Sequence, residues 1–448
     1  MAGYVGKQAI VVGAGLAGLT AAGALAHHFE RVVILESDRL PADPLDRAGT
    51  PQGRQVHALL AGGQHALEEL FPGFERTLIA AGAVPIRAGL DMRAERPGFD
   101  PFPQRDLGWD NYAMSRALVE RTVRRQVEGR ASIELRQECR VEAFVTSPDG
   151  GRVMGVRCAD PASRTELLSA DLVVDASGRG ALTLDTLCAL GRPLPEQTTI
   201  GVDVMYASAI FSIPDDAPTD GKGVFTFPGL GRSSRGSLML PLEGRRWICT
   251  VGARHGDNPP GDGAGFMAYA KGLRTPTVYD AIRQARRLGD IARFGFPESV
   301  CRHYERMSEF PRGLLPIGDA ICRFNPIHGQ GMSVAAQEAR ELGRLLNRLG
   351  TDSDPLAKLA PAFFQAVAAI IHTPWEAAAV PDFVHPDTRG ERPANFEQTL
   401  KFGMGLTQLA ARDPAVHKLT VEVQNLVKPR SVYQDPALVQ RVLAVMAK

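Results

Sequence analysis

The chain has 448 residues, 44% hydrophobic and 23% charged, with 51 basic against 50 acidic side chains. That length accommodates two or three domains around a sizeable core, and the ordinary charged fraction excludes wholesale disorder. A formal net charge of +1 leaves no electrostatic footprint for nucleic acid or an anionic membrane, so the 46 glycines stand as the one unexplained excess.

The opening residues predict a βαβ unit. Gln8 to Val12 is a short apolar strand, Leu16 to His28 an alanine- and leucine-rich helix, and Val32 to Leu35 a β-branched strand. No basic, apolar and small-residue succession of a secretory leader precedes them. A loop rich in Pro, Asp and Gly follows from Ser37 to Gly53, and Gln55 to Phe71 reads as a helix. Ser115 to Glu128 is another helix with Ser115 as its N-cap, whose Arg121, Arg124 and Arg125, with Arg130, form a solvated face. Strands are predicted at Ser132 to Leu135, Arg140 to Val145 and Arg152 to Cys158. Leu172 to Val174 has the all-apolar pattern of a parallel strand covered on both faces.

From Thr198 the texture changes to alternating segments near Gly201–Phe211, Gly223–Phe227, Ser237–Leu240 and Arg246–Val251, which predict a mostly antiparallel second sheet. Phe211, Phe225, Phe227 and Trp247 on these strands read as core. Near Gly313 to Ile317 the chain returns to the first sheet and enters a long helix from Gly331 to Leu349. The tail carries helical periods broken by Pro361, Pro374, Pro381, Pro386 and Pro429; its Phe363, Phe364 and Trp375 read as a cap packed over the first domain. The expected divisions are 1–195 and 301–350 for a nucleotide-binding domain in two parts, 196–300 for a β-sheet substrate domain, and 351–448 for a helical C-terminal region. The expected fold class is α/β, α+β overall. Six cysteines lie far apart without C-x-x-C spacing, which fits reduced thiols in a cytoplasmic protein and argues against a zinc site; no metal is expected. The apolar stretch Pro361 to Ile371 falls short of the roughly 20 residues of a membrane span.

Three motifs carry chemistry. The first is Gly13-Ala14-Gly15-Leu16-Ala17-Gly18, where a strand ends and a helix begins. Gly13 permits the tight turn, Gly15 lets the backbone approach a pyrophosphate, and Gly18 lets helix and strand pack closely, while the helix N-terminus favours phosphate. Glu36 ends the second strand, where a carboxylate accepts hydrogen bonds from an adenosine ribose. This pattern alone does not separate FAD from NAD. The second motif is Leu315-Pro316-Ile317-Gly318-Asp319-Ala320, followed by Asn325-Pro326-Ile327-His328-Gly329-Gln330-Gly331-Met332. It reads as a strand, an acid able to hold a polyol, and a glycine-lined helix start whose N–H groups approach a flat, electron-rich ring.

With these elements in order, the sequence resembles the p-hydroxybenzoate hydroxylase-type FAD-dependent monooxygenase superfamily over roughly residues 6–60 and 110–350. The resemblance implies a Rossmann-like FAD-binding domain. It places Gly13, Ala14, Gly15 and Gly18 at the pyrophosphate, Glu36 on the adenosine ribose and Val141 at the adenine. Arg116 then flanks the FAD from the side, Asp319 holds the ribityl chain, and Pro326, Gly329, Gly331 and Met332 lie beside the isoalloxazine. Arg54 and His57 follow a loop that in this fold returns over the flavin; they either face the ring or substrate, as tentative catalytic residues, or are satisfied at the surface or in the core. His328 reads as a packed or solvent-facing imidazole.

The third motif departs from the family. Its usual Asp-Gly with a later Ser and Arg is here Asp175-Ala176-Ser177-Gly178-Arg179-Gly180. This shortened form looks more like squalene epoxidase-like, geranylgeranyl reductase-like and bacterial secondary-metabolism epoxidase sequences. Asp175 either serves the cofactor or caps a loop, and electrons come either directly from NAD(P)H or through a separate flavin reductase. The resemblance implies transfer of one oxygen atom from O2, through a flavin C4a-(hydro)peroxide, to an apolar natural-product intermediate, by epoxidation or hydroxylation. The substrate half shows no convincing buried base, which favours epoxidation. A flavin-dependent double-bond reductase on the geranylgeranyl reductase plan and a non-catalytic FAD-fold binding protein remain as alternatives. No W-x-W-x-I-P element of tryptophan halogenases, and no G-x-S-x-G, H-E-x-x-H or P-loop motif, is present.

Overall fold

The computed structural model describes residues 4–215, 217, 222–229 and 233–447. Five strands, in the order Leu314–Pro316, Leu172–Asp175, Gly6–Val12, Phe29–Leu35 and Ile133–Arg136, form an all-parallel sheet. Its central strands bury both faces. Leu172 and Val174 pack toward the Leu16–Leu25 and Gly331–Leu349 helices. Val173 packs the other way with Ile10, Val33 and the Arg140–Thr146, Val153–Ala159, Thr165–Ser169 antiparallel sheet. Coverage on both sides explains the unbroken apolar runs. The first helix stops at Leu25, before the expected His28, because the next strand already begins at Phe29.

The second sheet has seven strands, ordered Cys322–Arg323, Arg287–Arg302, Gln197–Ser212, Arg246–Arg254, Gly236–Leu242, Gly223–Thr226 and Met92–Glu95. All pairs are antiparallel except the last, which is parallel. Three members are not among the expected strands, the shortest being the two-residue Cys322–Arg323. Met92–Glu95 reaches the sheet edge from within the 1–195 stretch. Arg287–Arg302 pairs along most of Gln197–Ser212 although its exposed side chains obscure the alternation. Along Gln197–Ser212 the pleat sends Ala207, Ala209 and Phe211 to a core with the Gly263–Lys271 and Thr277–Ile282 helices. Val204 and Tyr206 point to the opposite face, against Ala379 and Phe383 of the C-terminal region.

A correction concerns Gln55 to Phe71. The helix covers only Ala61–Leu70, and residues 55–60 are extended, with Leu59 bridging to Tyr112. Gln55 explains why: its amide donates to the Ala292 carbonyl at 3.1 Å and accepts from Ser208 Oγ at 2.6 Å, so the second sheet holds this segment straight. The C-terminal region is helical at Leu359–Asp382, Phe396–Arg412, Pro414–Gln424 and Pro436–Met446. Pro374 and Pro381 lie inside the first of these, so tertiary packing overrides their helix-breaking tendency. Phe363 and Phe364 are buried in the first-domain core and Trp375 packs against it. No helix among the described residues is long and apolar enough to cross a membrane.

Candidate cofactor cleft and substrate face

At the first motif each glycine has a separate geometric reason. Gly13 sits at φ +100°, where a β-carbon would stand 2.7 Å from the Ala176 carbonyl oxygen. At Gly18 a β-carbon would lie 1.9 Å from the Gly13 carbonyl oxygen, so only glycine lets the helix approach the strand end. At Gly15 it would meet nothing within 4 Å: this position borders open space. Gly15 is the N-cap of the Leu16–Leu25 helix, no side chain caps it, and the helix start is left with free N–H groups toward that space. Ala14 is fixed by Glu36, whose Oε2 accepts from its backbone N–H at 2.8 Å.

Glu36 is buried at the end of its strand. Its Oε1 accepts from the Asp38 N–H at 2.9 Å, and Arg47 stands 3.4 Å from Oε2 while bonding Asp38 and Glu120 at 2.7 Å each. The loop after the second strand is thereby latched to the Glu36 carboxylate by Arg47, a residue that carries no motif in the sequence. Val141 lies nearby at the start of the Arg140–Thr146 strand, tied in through the Cys139 N–H to the Glu36 carbonyl at 2.8 Å.

Across the opening, Ser115 caps the Arg116–Glu128 helix by accepting from the Leu118 N–H at 3.1 Å. This sets Arg116 on the cleft wall, its Nη2 3.2 Å from Glu120 and its buried Nε without a partner. Burial lowers its pKa first, against the charges of Glu120 and Asp319. Asp319 is open to solvent, yet the surrounding protein pushes its carboxyl pKa up, against Arg116, Arg323 and Arg302. An accessible group with that much protein around it lies in a cleft. His57 shares it: burial and then the Arg116 charge push its imidazole down to about 4, while Nδ1 lies 2.9 Å from the Gln55 carbonyl. Arg54 is exposed at the end of the Pro51–Arg54 turn. The structure brings Arg116 within electrostatic reach of both His57 and Asp319.

Under Asp319 lies Glu338, fully buried, which accepts from the Gly318 N–H at 2.7 Å and is pushed up to about 8 by burial. It supports the turn that presents Asp319. Its only sequence signal was an acid on an apolar helix face. Asp175 has the loop-capping role: fully buried, it accepts from Ser177 N–H and Oγ and from Thr183 N–H and Oγ1 at 2.5–3.2 Å. The loop it stabilises carries Gly178 at φ +92°, again with nothing within 4 Å of a β-carbon.

The Asn325 side chain accepts from the Ile327 N–H and starts the Pro326–His328 turn, which Gly329 ends at φ +64° before the Gly331–Leu349 helix. Pro326 is exposed and Met332 half-buried at the helix start. Gly331, like Gly15 and Gly178, faces open space, whereas Gly329 approaches Ala58. The extended segment 55–60 therefore lies against this turn, and Leu60 N–H donates to Ser333 Oγ at 2.9 Å. Beyond it the second sheet offers Tyr206, whose ring covers Gly252, and the linked hydroxyls of Ser208 and Thr250, 2.5 Å apart.

FAD fits this arrangement. Three glycines from three motifs border open space, an uncapped helix start suits a pyrophosphate, and a buried guanidinium whose Nε has no partner and a carboxylate suit phosphate and polyol. A family model for the FAD binding domain matches residues 7–354, so the chain belongs to that family, the p-hydroxybenzoate hydroxylase-type flavoproteins. Over 423 residues it is 33% identical to Protein Rv3254 of Mycobacterium tuberculosis, covering 89% of this chain and 87% of that protein. Among solved structures it resembles the flavin-dependent brominase Bmp2, with 14% identity, 98% of both chains covered and a TM-score of 0.68. It also resembles the Diels-Alderase PyrE3 of pyrroindomycin biosynthesis, with 16% identity, 94% of this chain and 81% of that one covered, and a TM-score of 0.63. At such identities the likeness is one of fold, and the named reactions differ among themselves.

Proposed function

We propose that this protein is an FAD-dependent monooxygenase that transfers one oxygen atom from O2 to an apolar small molecule, by epoxidation or hydroxylation. The observations that carry the reading are that Gly15, Gly178 and Gly331, one from each motif, each border open space, and that the Arg116 and Asp319 charges lie within reach of one another. Bound FAD supplies the activation of oxygen; the protein's residues bind, orient and exclude water. Gly15 and the helix behind it meet the pyrophosphate, Asp319 holds the ribityl chain, and the 326–332 segment borders the ring. His57 is neutral at physiological pH because its pKa lies near 4, so it offers the cleft a hydrogen-bonding group without a charge.

Electrons come from NAD(P)H directly or through a separate flavin reductase. With Asp175 wholly occupied by its own loop, the reductase route is the one we favour. Purified protein should be yellow and release FAD on denaturation; a colourless protein devoid of FAD defeats the proposal. Oxygen consumption and product mass with candidate alkenes and aromatics then separate oxygenase from reductase. A gain of two hydrogens instead of one oxygen supports the reductase.

A further inference from the structure

Asp382, the last residue of the Leu359–Asp382 helix, is fully buried where the C-terminal region meets both the second sheet and the 325–331 turn. Its Oδ1 faces three donors: Arg254 Nη2 at 2.7 Å, Asn325 Nδ2 at 2.9 Å and His328 Nε2 at 3.4 Å. Its Oδ2 is equally buried and has no partner. A carboxylate oxygen closed to solvent can be satisfied only by a donor already inside the protein. Arg254 and Asn325 are committed to Oδ1 at short range, whereas His328 is held loosely and its side chain retains some exposure. The imidazole is the neighbour with freedom to take up the second oxygen.

We propose that Asp382 and His328 form a proton-accepting dyad beside the flavin-facing turn, with Asp382 the positioning residue and His328 the group that takes a proton from a substrate hydroxyl. This rests on the monooxygenase reading above. In the Nε2–H tautomer, Nε2 donates to Asp382 and the lone pair of Nδ1 is left for substrate. The hydroxyl proton moves to Nδ1, its electron pair stays on the substrate oxygen, and the imidazolium is stabilised by the buried carboxylate. Electron density released this way assists electrophilic oxygenation of the attached ring or alkene. The base that was missing from the substrate half of the sequence is thus supplied by the turn and the C-terminal helix together. The charged and titratable groups of this cluster are Asp382, Arg254 behind it, and Tyr206, whose buried hydroxyl feels both. Burial opposes the Asp382 charge, but His328, Arg254 and Asn325 hold its carboxyl below the ordinary range, so it is ionised across the working pH.

The test uses FAD-loaded protein with nitrogen-15 histidine, the His328→Gln variant assigning the signal. The expected result is a neutral Nε2–H tautomer for His328, with an ionisation midpoint about one pH unit higher than in Asp382→Asn. An Nδ1–H tautomer, or a midpoint unmoved by Asp382→Asn, overturns the dyad. In a second measurement 2-naphthol and the isosteric 2-methylnaphthalene are titrated against flavin fluorescence. We expect roughly tenfold tighter binding of 2-naphthol by the parent protein and none of that preference in His328→Gln. Equal affinities in the parent, or a preference that survives His328→Gln, overturns the proposal and remains decisive should Asp382→Asn fold poorly. Protein without FAD defeats the monooxygenase reading itself, whereas a flavoprotein failing these tests defeats only the dyad.

Discussion

The candidate cofactor cleft and the junction opposite it place their functional groups by opposite means. Around the cleft the backbone does most of the placing: Gly13, Gly15 and Gly18 act through having no side chain, and a helix start offers its own N–H groups. Facing it, the junction of the second sheet with the C-terminal region works through side chains from distant parts of the chain. Asp382, Arg254, Asn325 and His328 meet only after folding, as do Gln55, Ser208 and Thr250. A backbone device is local and tolerates little beyond glycine. A side-chain network can be rebuilt but fails as a unit. Members of one fold can therefore share the cofactor cleft and differ in the chemistry opposite it, as the differing reactions named for its structural relatives illustrate.

Substitutions on the two sides should break this contrast in graded ways. The largest effect is expected from Arg254→Ala, which leaves the Asp382 carboxylate buried without its strongest partner; the loss is about 3–5 kcal/mol by urea denaturation. If the loss is below about 1 kcal/mol, the side-chain network is not what joins the C-terminal helix to the sheet. Next comes Glu338→Gln. Because the folded protein holds a proton on Glu338 up to about pH 8 and the unfolded chain releases it near 4.5, stability falls as pH rises through that window. The Gln variant should lose this decline, a difference of a few kcal/mol between pH 5 and pH 8.5 in denaturation midpoints. Identical pH slopes would show that Glu338 ionises normally.

Gly18→Ala tests the backbone side and should cost roughly 1–3 kcal/mol, since the added methyl meets a carbonyl that cannot retreat without moving the strand end. A neutral effect would mean the helix has room to shift. Asp319→Ala should leave the melting temperature of the flavin-free protein unchanged but weaken FAD retention about tenfold or more, through loss of a charge-assisted contact. Unaltered retention in equilibrium dialysis removes Asp319 from the cofactor site. The smallest effect at neutral pH belongs to His57→Gln, within about 0.5 kcal/mol. As pH falls from 6.5 toward 4 the parent protein should lose stability relative to this variant, because only the unfolded imidazole protonates freely there. Equal acid sensitivity of the two proteins would place His57 in ordinary solvent.

By itself the sequence determined what short-range rules control. The glycine spacing at 13, 15 and 18, the capping Ser115, the covered strand at 172–174 and the Gly318–Asp319 turn are local, because each depends on backbone conformation or on neighbours within one or two turns. The alternating strands of the second sheet were legible for the same reason, since side-chain alternation is a property of a single strand. Tertiary structure alone decided the rest. Residues 55–60 look helical by period yet are extended, since Gln55 is held by Ser208 and Ala292 from across the molecule. Cys301 and Cys322, which look unrelated in the sequence, face one another as register partners on adjacent strands. Asp382 is an unremarked acid at the end of a proline-interrupted helix until folding buries it against Arg254 and His328. A buried charge takes its meaning from its partners, and nothing local specifies partners more than fifty residues away.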